Sequence, residues 1–142
     1  MHCEQRQAIG EAGLRGTASR IAVLRLLETA GKPLSHAEVC RALSASGFDK
    51  ATLYRNLIDL TEGGLLSRID VGDHTWRFEF RYKEQGPEQE HPHFVCAECG
   101  AISCLFGVRI QISSPTQFSR ALKAGAITIQ FKGRCDQCAA VA

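Results

Sequence analysis

Residues 49–64 read Asp49-Lys50-Ala51-Thr52-Leu53-Tyr54-Arg55-Asn56-Leu57-Ile58-Asp59-Leu60-Thr61-Glu62-Gly63-Gly64. Leu53, Leu57 and Leu60 fall at i, i+4 and i+7, which predicts a helix over 49–62 with one apolar stripe. Gly63-Gly64 ends it, because glycine accepts the backbone turn that follows a helix. Two further helices precede it. Thr17 or Ser19 can cap one with Ile21, Leu24 and Leu27 on a common face, stopped near Gly31-Lys32-Pro33. Ser35 opens the next, with Glu38 three residues on as a capping box, Val39 and Leu43 inward, and an end at Gly47. After the third helix come two strand-like runs, Leu65–Ile69 and Thr75–Phe80, around a Val71-Gly72-Asp73 turn. Trp76, Phe78 and Phe80 alternate there with Arg77 and Glu79, the period of a strand. Helix, helix, helix, hairpin is the order of a winged helix-turn-helix.

The apolar stripe of the third helix leaves Thr52, Tyr54, Arg55 and Asn56 near its exposed N-terminal half. A recognition helix presents such groups to DNA: arginine to guanine edges, tyrosine to thymine methyls, threonine and asparagine to phosphates or bases. An ordinary solvated helix face carries the same residue types, so this segment by itself admits both readings.

Beyond the hairpin, Lys83-Glu84-Gln85-Gly86-Pro87-Glu88-Gln89 is polar, breaks both periodicities and reads as a linker. Phe94–Val95, Ala101–Leu105 and Ala126–Lys132 look like short strands, and Ser113-Ser114-Pro115 opens a helix through about Lys123. The expected organisation is α+β: a winged-helix domain over 1–82, a hinge over 83–90 and a small α/β domain over 91–142. No apolar run reaches membrane-spanning length, and Met1-His2-Cys3-Glu4-Gln5 lacks the look of a signal peptide. A cytoplasmic, reduced protein is the expectation, in which paired cysteines mean metal more often than disulfides. The net charge of +2 is small, so any nucleic-acid surface must be a local patch.

Seven cysteines in 142 residues are many. Four form two CxxC pairs, Cys96/Cys99 and Cys135/Cys138. Two intervening residues let both sulfurs of a pair reach one ion from a tight turn, and two pairs close a tetrahedral zinc site with no open position. Such a site is structural; redox pairs or idle thiols are the alternative. His91 and His93 precede the first pair and fall outside the quartet, which suggests a second metal.

Ala12-Gly13-Leu14-Arg15, Arg20, Ala51-Thr52-Leu53-Tyr54-Arg55, Phe78-Glu79, His91-Pro92-His93-Phe94-Val95-Cys96-Ala97-Glu98-Cys99-Gly100 and Cys135…Cys138 together resemble the ferric uptake regulator family, in order and over essentially the whole chain. The resemblance implies a homodimeric, metal-dependent transcription repressor that binds a pseudo-palindromic DNA operator. It implies that Arg15 enters the minor groove, that Tyr54 and Arg55 read the major groove, and that Arg20, Thr52 and Asn56 belong to the same DNA-binding set. It also implies a regulatory ion at the hinge held by Glu79, His91 and His93, with position 104 as the fourth ligand. Relatives often carry a carboxylate there; this chain has Cys104. A thiolate moves the preference toward zinc and away from iron or manganese, so a zinc-sensing repressor is the expected type.

The chain departs from the family pattern at three places. Pro33 and Ser67 stand where relatives supply a histidine and an aspartate or histidine. His36, Asp70, Asp73 and His74 lie nearby, and His74 is the first candidate for an extra ligand. A third metal site of some relatives falls on Pro92 and Ile127. Cys40 reads as core, and His2 and Cys3 are assigned no role. Two other readings compete. An iron- or manganese-loaded peroxide or iron sensor would want a nitrogen/oxygen shell, which Cys104 disfavours. A zinc nucleoside deaminase is imitated by His36-Ala37-Glu38 with Cys96-x-x-Cys99, but Val95 stands where that signature has proline, and a closed quartet leaves no water on the metal.

Overall fold

The computed structural model describes residues 3–82, 91–111, 113 and 129–140. The helix expected from Ser113, the linker from Lys83 and the position of Ile127 lie outside the described residues. The chain divides into two compact units, residues 1–89 and 90–142.

The first unit runs α1 (Cys3–Glu11), α2 (Ala18–Ala30), β1 (Leu34–Ser35), α3 (His36–Ala42), a 3₁₀ turn (Ser44–Ser46), α4 (Lys50–Glu62), β2 (Leu66–Asp70) and β3 (Trp76–Phe80). Each of the three helices expected in this unit is present with the cap its sequence supplies, although the second ends at Ala42 and gives way to the 3₁₀ turn before Gly47. The Thr17 side chain accepts from the Arg20 amide, and Gly31 closes α2 in the left-handed region at φ 61°. Ser35 and Glu38 form the reciprocal capping box of α3. Asp49 caps α4 by accepting from the Thr52 amide at 2.6 Å.

The strands form a three-stranded sheet in the order β1-β3-β2, with Leu34 opposite Phe78 and Ser67 opposite Glu79. Leu24, Leu27, Val39, Leu53, Leu57, Leu60, Leu66 and Phe78 fill one core between helices and sheet, all essentially inaccessible. Two elements are additions to the sequence reading. α1 carries fully buried Ile9 into that core and begins at Cys3. β1 is two residues long, too short for a period to declare itself.

The second unit is built on β4 (His93–Cys96), β5 (Ile102–Cys104) and β6 (Gln130–Gly133), ordered β5-β4-β6, followed by α5 (Asp136–Ala140). β4 pairs antiparallel with β5 and parallel with β6. The whole is α+β, a helical unit with a small sheet followed by an α/β unit.

Candidate metal centres and nucleic-acid interface

The turn from Cys96 to Ala101 is what builds both ends of the second unit. The Cys96 amide donates to the Ala101 carbonyl at 2.9 Å and the Gly100 amide to the Cys96 carbonyl at 3.0 Å. Gly100 sits at φ 73°, a conformation that side-chain-bearing residues rarely adopt. This knuckle sets the β4–β5 register and places Cys104 directly opposite His93. On the other edge, parallel pairing of Cys96 with Gly133 brings Cys135 alongside, so that its amide donates to Cys96 Sγ at 3.3 Å. Gly133 leaves room for Phe94: a Cβ there would lie 3.2 Å from its ring. Arg134 and Glu98 join the two knuckles by an ion pair at 2.6 Å.

The ligand atoms of Cys96, Cys99, Cys135 and Cys138 lie within 4.8 Å of one another. Cys99 and Cys135 Sγ are 3.8 Å apart. A disulfide would hold them at about 2.05 Å, whereas a tetrahedron of sulfurs at the usual zinc distance has edges of about 3.8 Å. The geometry therefore fits a tetrahedral metal ion and not a disulfide. Amides of Cys99 and then Cys135 lower the Cys96 thiol to about 6. The Ala101 amide pulls Cys99 down, but the neighbouring Cys96 and Cys135 thiols outweigh it and the net shift is upward. Cys138 is pushed well above the ordinary thiol range, first by Cys135 and then by Cys99. Cys96 is thus the thiol of the quartet most readily deprotonated, while Cys99 and Cys138 hold their protons more tightly than an ordinary thiol.

His91, His93 and Cys104 form the second cluster of this unit, with ligand atoms again within 4.8 Å of one another. His91 and His93 are two apart and share a face. Their rings stand 4.8 Å apart, and Phe106 covers His91 at 4.5 Å. Two imidazoles and a thiol on one face suit a borderline-soft ion such as zinc. His93 and Cys96 bound β4, so the two centres are about 10 Å apart along the strand. Glu79 belongs to the first unit, where it is 9% exposed on β3. His74 is exposed at the wing turn with φ 59°. It joins no group of three or more ligand-bearing side chains among the described residues.

In the first unit, Tyr54 and Arg55 stand on the exposed face of α4, Thr52 is half-buried in its first turn, and Arg15 is exposed ahead of α2. Two members of the expected DNA-binding set, Asn56 and Arg20, have partners within the first unit. Asn56 is buried, and its amide donates to Ser19 Oγ at 2.8 Å. It falls between Leu53 and Leu57 on the inward side, and its polar end is satisfied within the protein. Arg20 forms an ion pair with Asp59 and donates to the Arg15 carbonyl at 3.0 Å. Its guanidinium is therefore engaged in bracing α2 to α4 and in holding the backbone of Arg15. Sequence reading did not identify Asp59 or Ser19 as partners; i to i+39 and i to i+37 contacts leave no local signal.

Residues 11–122 match the ferric uptake regulator family. The ferric uptake regulation protein of Legionella pneumophila is 32% identical over 139 residues, covering 95% of this chain and 98% of that protein. A peroxide-responsive repressor PerR of Staphylococcus aureus is 31% identical over 97 residues, 67% of this chain and 62% of that one. Among solved structures, the Vibrio cholerae ferric uptake regulator superposes with a TM-score of 0.65 at 23% identity, covering 92% of this chain and 98% of that chain. A zinc uptake regulator in complex with zinc and DNA gives 0.63 at 17% identity, covering 99% and 93%.

Proposed function

Since this chain belongs to the ferric uptake regulator family, and is thereby a metal-responsive DNA-binding repressor and not an enzyme, we propose that the ion it senses is zinc. The observation that carries this reading is Cys104 opposite His93, with His91 on the same face. A thiolate among imidazoles favours zinc over the harder iron and manganese ions. In this proposal Glu79 completes the regulatory ligand set, and Cys96, Cys99, Cys135 and Cys138 hold a structural zinc. The winged-helix domain spans 1–82 and the metal-binding dimerisation domain 91–142, joined by a hinge at 83–90. The protein works as a cytoplasmic homodimer on a pseudo-palindromic operator.

The chemistry each ion supplies is charge and fixed geometry. Cys96, Cys99, Cys135 and Cys138 would hold the structural ion, whose charge would stand in place of thiol protons and join the two knuckles. His91, His93, Cys104 and Glu79 would hold the regulatory ion, which would act only through its differential affinity for the DNA-competent arrangement, with Glu79 as the ligand from the winged-helix domain. Arg15, Thr52, Tyr54 and Arg55 meet the DNA, while Arg20 and Asn56 support them from behind.

The test is zinc content of the purified chain with and without Cys104→Ser. We expect two zinc ions per chain, falling to one in the variant. An unchanged count in the variant would remove Cys104 from the site. Restoration of operator binding by iron or manganese, but not by zinc, would favour the sensor type represented by the Staphylococcus aureus relative.

A further inference from the structure

A second imidazole–thiol pair, formed by His36 and Cys40, lies inside the first unit. His36 begins α3, and Cys40 follows one helical turn later, so their side chains stack on the same face. Both are half-buried. His36 Nε2 is 3.2 Å from Cys40 Sγ and 2.8 Å from the Lys50 carbonyl oxygen. Lys50 is the first residue of α4, and the His36 ring meets the edge of Tyr54 at 5.3 Å and 71°.

A carbonyl oxygen only accepts, so Nε2 carries its proton and donates it to Lys50, with the Cys40 sulfur beside the same N–H. That brings a thiol sulfur and a backbone oxygen to within 3.2 Å and 2.8 Å of one imidazole nitrogen. Bound to a tetrahedral ion at usual zinc distances, an imidazole nitrogen and a thiolate sulfur lie about 3.6 Å apart. The observed separation is about 0.4 Å short of that, a shift that small side-chain rotations supply.

We propose that His36 and Cys40 form a further metal site, selective for a soft divalent d¹⁰ cation, that acts directly on the DNA-reading helix. Thiolate and imidazole donors select that class, and the Lys50 carbonyl is positioned as a third ligand. On binding, the ion replaces the Cys40 thiol proton, which is released to solvent. The His36 proton moves from Nε2 to Nδ1, freeing Nε2 to coordinate. The Nε2–H···O=C bond to Lys50 is lost in the same step. Occupancy therefore necessarily changes the tie between α3 and the first turn of α4, next to Tyr54.

The test reads Cys40 itself, so its outcome does not depend on the identity of the regulatory ion. The full-length, zinc-loaded protein is treated with iodoacetamide with and without added Cd²⁺, and alkylation of Cys40 is followed by peptide mass spectrometry. We expect Cd²⁺ to slow Cys40 alkylation at least about tenfold, and His36→Ala to remove most of that protection, as loss of one ligand of a chelate should. His36→Gln, which keeps a donor for the Lys50 carbonyl, serves if the alanine variant misfolds by circular dichroism. Equal alkylation rates with and without Cd²⁺ would overturn the proposal. Undiminished protection in the His36 variants would overturn it too, since the thiol would then bind the ion alone.

Discussion

Asn56 shows how a polar side chain can be structural on a helix whose other face exposes Tyr54 and Arg55. Its buried amide and Ser19 join α4 to α2, and removing one partner leaves the other desolvated without a bond. Asn56→Ala should cost about 1–3 kcal/mol in urea unfolding. Arg55 is the opposite case. It is exposed, so Arg55→Ala should leave stability within about 0.5 kcal/mol yet weaken specific DNA binding by roughly 1–3 kcal/mol per half-site. A fluorescence-anisotropy titration beside a melting curve separates the two, and a stability loss without an affinity loss would put Arg55 in the wrong class. The thiols carry a pH consequence. With Cys99 and Cys138 held above their ordinary value, zinc binding at the quartet releases protons, so its affinity rises with pH. Competition against a chromophoric chelator between pH 6 and 8 should show that sign.

At the level of elements, the caps decide where α4 begins. Asp49 is held below the ordinary carboxylate value of 3.8 by hydrogen bonds it accepts from Thr52, side chain first and then backbone, with the Arg55 charge adding to them. A lowered folded pKa means a contribution fully present above the unfolded value and lost as pH falls through 3.8 toward the folded one. Asp49→Asn keeps a capping oxygen but removes the titration, so the acid limb of a pH–Tm profile should flatten below about pH 4. An unchanged acid limb would show that other carboxylates carry it. α1 supplies a second element-scale test. Its composition is polar and only Ile9 is buried, which is why periodicity passed over it. Ile9 is nevertheless 0% exposed, and Ile9→Ala should cost about 2–4 kcal/mol by leaving a cavity against α2.

Across the whole molecule, the two units are stabilised by different means. The first has a continuous apolar core, whereas Cys96 is the one buried hydrophobic residue among the described residues of the second. Phe106, Val108, Ile110 and Phe131 are exposed there. In the proposed reading, the bound ions and association with a second copy would add to the stability of this unit. A strong chelator should therefore abolish hydrogen-exchange protection in β4, β5 and β6 while α2 and α4 keep theirs. Equal loss in both units would mean that the first unit's core does not stand alone.

Much of this was legible along the chain. The i, i+4, i+7 leucines of α4, the Ser35/Glu38 box and the alternation of Trp76, Phe78 and Phe80 are local patterns, and each element follows from its own residues. The two CxxC pairs carried their quartet for the same reason, since the bite of a pair depends on two intervening residues. Long-range placement was not legible. That Asn56 faces Ser19, that Arg20 is committed to Asp59, and that His36 and Cys40 meet the start of α4 all depend on how helices pack. The local code thus determined the elements, their caps and the metal-binding residue types. Tertiary structure decided which polar groups were left for DNA or metal, because burial and partner choice are set by packing between residues distant in the chain.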